Sequence, residues 1–144
     1  MKNIFRKLTG YGAYALGLVM LCLFTACAKE KNPMEKVKDL DFTVLAEDNI
    51  PQELKTVIEE KKANAFKVTY QDNGFLYICI GYGEQVSGGY SITVNDLYLT
   101  ENAIYADTTL LGPDPGDGTV KKDTQSYPYV VIKTEFIDKP VVFN

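Results

Sequence analysis

The sequence predicts an α+β domain: a mainly antiparallel β-sheet or a partly closed barrel, with one covering helix. Three observations indicate this class. Strand-like segments with alternating or continuous apolar residues recur from residue 41 to residue 136. A single stretch, starting at residue 51, spaces its apolar residues as an amphipathic helix does. Glycine and proline turn signals separate these segments, and 144 residues suffice for one ordinary domain.

The N-terminus has the layout of an export signal. Lys2, Arg6 and Lys7 precede an apolar run from Tyr11 to Ala26, which is the charged-then-apolar order of a secretory signal. The run ends in Leu23-Phe24-Thr25-Ala26-Cys27. Small residues before a cysteine resemble the bacterial lipobox, where the signal is cut before a lipid-bearing cysteine.

These features predict a lipoprotein. We expect residues 1–26 to be the signal peptide, Cys27 to be lipidated, residues 27–40 to form a tether, and residues 41–144 to form the domain. The alternatives are an uncleaved membrane helix and ordinary cleaved secretion; the apolar run is short for a span, which needs about 20 apolar residues. All three place the domain outside the cytoplasm, and the first anchors it to a bacterial membrane by lipid.

The predicted helix begins at Pro51, because proline suits the first helical position and its predecessor avoids helical geometry. Leu54, Val57 and Ile58 then share one face. Asn64 is expected to end the helix in the left-handed conformation.

A hairpin is predicted next, because Asn73-Gly74 suits a type I′ turn with positive φ at both positions. Residues 75–80 are apolar on both faces, so they should form an inner strand with cover on each side, the helix supplying one cover. The turn fixes the pairs Tyr70–Tyr77, Thr69–Ile78, Val68–Cys79 and Lys67–Ile80.

The remaining strands are predicted over residues 41–45, over 90–100 with a bulge at Asn95-Asp96, and over 103–111 and 130–136. Residues 112–118 are rich in proline and glycine and should form an irregular excursion. A glycine-dense stretch, residues 81–92, lies between two strands and predicts a sharply turned loop.

Several classes of chemistry are excluded or disfavoured. The chain has no histidine, which excludes Ser-His-Asp and Cys-His catalysis and all histidine-containing metal sites. Its formal net charge is −4 although the first 26 residues are basic, so the remainder is more acidic still and disfavours nucleic-acid binding. We therefore expect no enzymatic activity, no cofactor and no nucleic-acid partner.

Three weaker patterns have simpler interpretations. Gly81-x-Gly83 lacks the following helix that a dinucleotide site requires. Asp114, Asp117 and Asp123 lack the alternate-residue spacing of an EF-hand, so a solvated turn is favoured over calcium binding. Cys79 lies in an apolar strand and is expected to be a small buried hydrophobe.

The second half of the chain resembles a known family. The elements that carry the resemblance occur in order: Ser87-Gly88-Gly89-Tyr90-Ser91-Ile92, Pro113-Asp114-Pro115-Gly116 and Tyr127-Pro128-Tyr129-Val130-Val131-Ile132. They resemble the PrcB C-terminal domain family, over roughly residues 66–143. That family is named for a lipoprotein subunit of a spirochaete surface protease complex. The resemblance implies a protease-associated, stabilising role without catalytic residues.

The first functional hypothesis is a non-enzymatic envelope lipoprotein that binds and stabilises a partner protein, with an exported protease implied by the resemblance. The alternatives are a lipoprotein that binds a small ligand or cell-wall glycan through its tyrosines, and a carboxylate-dependent hydrolase. Loops on a rigid sheet concentrate binding sites, and tyrosine supplies contact area at low entropic cost. The candidate partner-binding residues are Ser87, Gly88, Gly89, Tyr90 and Asp114.

Overall fold

The computed structural model describes residues 34–116, 118 and 123–144. The predictions for the signal peptide, for Cys27 and for Asp117 lie outside these residues. None of the described helices is both long enough and apolar enough to span a membrane.

Two four-stranded sheets and one α-helix make up the described part of the chain. Sheet I has the order β1-β5-β6-β8 and sheet II the order β2-β7-β4-β3. Strands pair antiparallel except β6 with β8, which are parallel. The elements are β1 (Lys36–Asp39), β2 (Phe42–Val44), a 3-10 helix (Glu47–Asn49), α1 (Gln52–Lys61), β3 (Ala65–Asp72), β4 (Phe75–Tyr82), β5 (Ser91–Thr100), β6 (Ile104–Leu111), β7 (Tyr129–Glu135) and β8 (Val141–Phe143). The α+β class is confirmed, and no closed barrel is found among the described residues.

The β3–β4 hairpin has the predicted register. Asn73 has φ 48° and Gly74 has φ 79°, as a type I′ turn requires. All four predicted pairs are present, and the pairing continues without a bulge to Ala65 opposite Tyr82. The turn therefore sets which side chains of β3 and β4 share a face.

β4 is the predicted inner strand, lying between β3 and β7. One of its faces packs into the core between the sheets, where Ile78 belongs to one cluster with Leu97 and Ile104 of sheet I. The other face lies under α1, where Cys79 packs in one cluster with Leu54. Cover on both faces explains why this strand is apolar on both.

The helix boundaries differ slightly from the prediction. Pro51 is the N-cap with extended geometry, so the helix proper begins at Gln52. The helix ends at Lys61, and Lys62 still has right-handed helical geometry. Among the described residues Asn73 is the one non-glycine residue with positive φ. Asn64 is therefore not left-handed, and the expectation for Asn64 is wrong. The Asn64 N–H donates to the Lys61 carbonyl, which closes the helix with a tight turn.

The sheet begins earlier than residue 41. Residues 36–39, which the sequence assigned to the tether, form β1 and pair with β5. All four side chains are exposed, so the segment lacks the alternation of apolar and polar residues that would identify a strand. Lys36 forms an ion pair with Asp96, 3.1 Å away, at the β5 bulge. Leu40 follows β1 into the core between the sheets.

The bulge predicted in β5 is present, because the pairing with β6 shifts between Val94 and Asp96. Between β4 and β5 the chain also changes sheet, from sheet II to sheet I. Residues 83–90, called here the glycine loop, make this crossing. Gly83 and Gly89 near its two ends have φ 75° and 82°.

Candidate functional site

The glycine loop leaves β4 at a point where only glycine fits. A Cβ on Gly83 would lie 2.9 Å from the Ala65 backbone nitrogen and 3.1 Å from the Asn64 carbonyl carbon. These neighbours are backbone atoms at the start of β3, so moving them would distort the strand. The positive φ of Gly83 adds a second reason, since a side chain there would be strained.

The middle of the loop is fixed by the segment that precedes β7. Gln85 and Ser126 exchange two backbone hydrogen bonds, of 2.8 and 3.1 Å, and form an isolated antiparallel bridge. The Ser126 hydroxyl also donates to the Ser87 carbonyl, 2.6 Å away. The loop is thus held by three bonds from a segment about 40 residues further along the chain.

The predicted site residues of the loop differ in their exposure. Ser87 is only 8% exposed, so its side chain offers little surface to a partner. Gly88 and Tyr90 are half-buried and Gly89 is exposed. Ser87 acts in the described structure through its carbonyl, which accepts the bond that fixes the loop.

The excursion after β6 begins beside Tyr90 of the glycine loop. A Cβ on Gly112 would lie 3.9 Å from Cε1 of Tyr90, which is ordinary contact distance. Asp114 is exposed, and its carboxylate accepts the Gly116 N–H at 2.9 Å, so it stabilises its own turn. The structure therefore brings Tyr90 to the start of the excursion, whereas the bond of Asp114 is local.

Val86 lies in the glycine loop but is not one of the five predicted contact residues. Its side chain is 80% exposed, although its neighbours Gln85 and Ser87 are held by Ser126. An aliphatic residue flanked by polar residues in a glycine-rich loop is a signal that the sequence contains. Its exposure, however, follows from the anchoring of both neighbours, which the sequence does not show.

A polar cluster supports the base of the loop. The Glu84 carboxylate accepts hydrogen bonds from Gln125 Nε2 at 2.8 Å and from the Tyr127 hydroxyl at 3.2 Å. The bond to Glu84 raises the pKa of Tyr127, because ionising the phenol would lose a donor and add a like charge. Lys62 Nζ lies 5.6 Å from the Tyr127 ring centroid and pairs with Glu59 at 2.6 Å. These contacts position the loop and the segment beside it.

Within the described residues no group of acidic or cysteine side chains is arranged to hold a metal ion. Asp114 and Asp123 belong to this part of the chain, and neither takes part in such a group. Cys79, the free cysteine described, is fully buried, and burial raises the pKa of its thiol to about 12. A thiol that stays protonated in an apolar site is a packing residue, as predicted.

Residues 76–135 match the model of the PrcB C-terminal family. This segment, less than half of the 144-residue chain, is similar to the PrcB C-terminal domain. The matched segment runs from β4 to β7, so the PrcB C-terminal segment includes the glycine loop, the excursion and the anchoring residue Ser126. Helix α1, β3 and β8 flank it on either side. No curated protein and no solved structure matches the chain.

Proposed function

We propose that this protein is a non-enzymatic envelope lipoprotein that binds a partner protein through its glycine loop. The observation that carries the proposal is the side chain of Val86, 80% exposed on a loop that three hydrogen bonds fix. A fixed loop loses little conformational entropy when it binds, so an apolar side chain at its tip contributes more of its burial energy to affinity.

The partner class that we propose is an exported protease, whose persistence the bound protein would increase. This rests on the PrcB C-terminal match, since that family is named for a subunit of a protease complex. The absence of histidine from the sequence supports a non-enzymatic role, because it removes the commonest general base.

The test is capture of the partner from the cell envelope after cross-linking, with wild type, Val86→Asp and Val37→Asp compared. Val37 is 63% exposed in β1, so it controls for adding a charge at an exposed valine outside the loop. We expect Val86→Asp to lower the yield of the captured protease at least tenfold and Val37→Asp to leave it unchanged. Equal recovery by a folded Val86→Asp variant would show that the loop is not the binding site.

A further inference from the structure

The outer edge of β3 carries backbone N–H and C=O groups that pair with no described strand. β3 is the last strand of sheet II in the described part of the chain. In a hairpin with a two-residue turn the residues flanking the turn, here Asp72 and Phe75, form a hydrogen-bonded pair, and bonded pairs then alternate. The N–H and C=O groups that face away from β4 therefore belong to Ala65, Lys67, Thr69 and Gln71.

This edge lacks most of the features with which proteins protect exposed strands. β3 is eight residues long, contains no proline, and pairs with β4 without a bulge. Its protective feature is one lysine, Lys67. The ammonium group of Lys67 lies 5.3 Å from the ring centroid of Phe143 in sheet I, so it reaches across to the other sheet.

A cleft of about 460 Å³ adjoins the first residues of this edge. Phe66, Ile80 and Tyr82 give it apolar walls, and Thr108 of sheet I lines it as well. Among the side chains that line the cleft, Lys67 is the charged one. The Phe66 ring covers Gly81, the glycine opposite it in β4, which leaves this end of the strand without a second bulky side chain.

We infer that β3 accepts an extended segment of the partner protein as an added strand of sheet II. The inference rests on the proposed partner-binding function and specifies how that partner is held. Alternating N–H and C=O groups are satisfied by another extended backbone, which makes strand addition the mode that fits this edge. The cleft selects an apolar side chain of the segment, and Lys67 selects an acidic side chain near it.

The proposed edge is continuous with the glycine loop. The Glu84 N–H donates to the Ala63 carbonyl, 3.2 Å away, immediately before β3 begins. The Gly83 backbone passes the Ala65 nitrogen closely. A partner that contacts Val86 therefore lies beside the start of the edge, and one protein can occupy both.

The first experiment selects binders from a phage-displayed library of random dodecapeptides on the full-length protein in detergent. We expect peptides in which an apolar and an acidic residue recur at fixed spacing. Thr69→Pro should weaken their binding at least tenfold, because it removes an outward N–H and places a ring on the edge. Proline is tolerated at such outward edge positions, so the fold should persist. Thr69→Val keeps the N–H and should bind as wild type does.

Three results would overturn the inference: no selected peptide, equal binding by a folded Thr69→Pro variant, or unchanged binding after N-methylation of alternate peptide amides. If Thr69→Pro does not fold, Lys67→Glu replaces it, and the selected peptides should then prefer a basic residue to an acidic one. An unchanged preference would count against the inference. So would a dimer of this chain that Thr69→Pro dissociates, because a second copy would then be the occupant.

The second experiment repeats the envelope capture with Thr69→Pro beside Val86→Asp. Loss of the protease with both variants supports strand addition and the loop site together. Loss with Val86→Asp alone overturns strand addition and leaves the proposed function standing. Loss with Thr69→Pro alone supports strand addition and overturns the loop site. Recovery with both folded variants overturns both.

Discussion

The Tyr82 hydroxyl donates a hydrogen bond to the backbone oxygen of Thr108, 3.0 Å away, and lies 2.8 Å from the Thr108 hydroxyl. Tyr82 ends β4 in sheet II, and Thr108 lies in β6 of sheet I. A polar contact thus joins the two sheets where the glycine loop begins and at one wall of the cleft.

Replacing Tyr82 with phenylalanine should destabilise the protein by about 1 kcal/mol, because the half-buried Thr108 groups lose their partner while the ring remains. The measurement is the free energy of unfolding in urea. Tyr90→Phe is the matched control, since the Tyr90 hydroxyl makes no hydrogen bond with any described residue. An equal effect of the two substitutions would contradict the assigned role of Tyr82.

Gly81→Ala should also destabilise the protein, for a different reason. A Cβ on Gly81 would lie 2.1 Å from Cε1 of Phe66, its cross-strand partner, so the ring must rotate away. Overpacking of this kind costs about 1 kcal/mol when the displaced group is a movable side chain. A double-mutant cycle with Phe66→Ala measures the coupling, because the alanine at position 81 should cost less once the ring is gone. Additive effects would show that the ring does not cover this glycine.

The register of β3 and β4 could be predicted because it depends on local chemistry. Asn73-Gly74 determines the turn, and the turn determines every pair up to Ala65. The assignment of strands to two sheets could not be predicted. An eight-residue glycine loop fits a hairpin as well as a crossing between sheets. The sequence of β5 does not indicate which strand it pairs with. β1 was missed because all its side chains are exposed.

The position of the glycine loop could be predicted, but the exposure of its individual side chains could not. Glycine density located the loop. Whether Ser87 or Val86 faces solvent, however, depends on Ser126, whose bonds to the loop span 39 and 41 residues. Long-range bonds of this kind leave no pattern in the loop sequence itself.

Gly89→Val should cost about 2 kcal/mol of stability, because Gly89 has φ 82° and a β-branched residue is strained there. Gly88→Val is the control: a Cβ on Gly88 would meet nothing within 4 Å, and its φ is not in the left-handed region. Urea denaturation should separate the two variants. Equal midpoints for Gly89→Val and wild type would mean that Gly89 is retained for contact and not for backbone shape.

Lipidation of Cys27 is a prediction from the N-terminal sequence alone. Cells labelled with a fatty-acid analogue should yield a labelled wild-type protein that fractionates with membranes. Cys27→Ser should lose the label, and Cys22→Ser, which changes the cysteine within the apolar run, should keep it. Label that persists on Cys27→Ser would refute lipidation at this residue.

Stability should fall at alkaline pH in a way that depends on Cys79. Burial raises the pKa of this thiol from 9.0 to about 12. Above pH 9 the unfolded chain releases the thiol proton while the folded chain keeps it, so each pH unit costs the folded state up to about 1.4 kcal/mol. The stability that the folded protein has with a protonated Cys79 thiol is fully present below pH 9 and declines as the pH rises toward 12.

The measurement compares the free energy of unfolding of wild type and Cys79→Ala from pH 8 to pH 10.5. Burial also raises the pKa of Tyr129, so both proteins should weaken with rising pH. The wild type should lose about 2 kcal/mol more than the variant over this range, since only it carries the buried thiol. Parallel pH profiles would show that the folded protein lets the thiol ionise, and hence that water reaches the layer between β4 and α1.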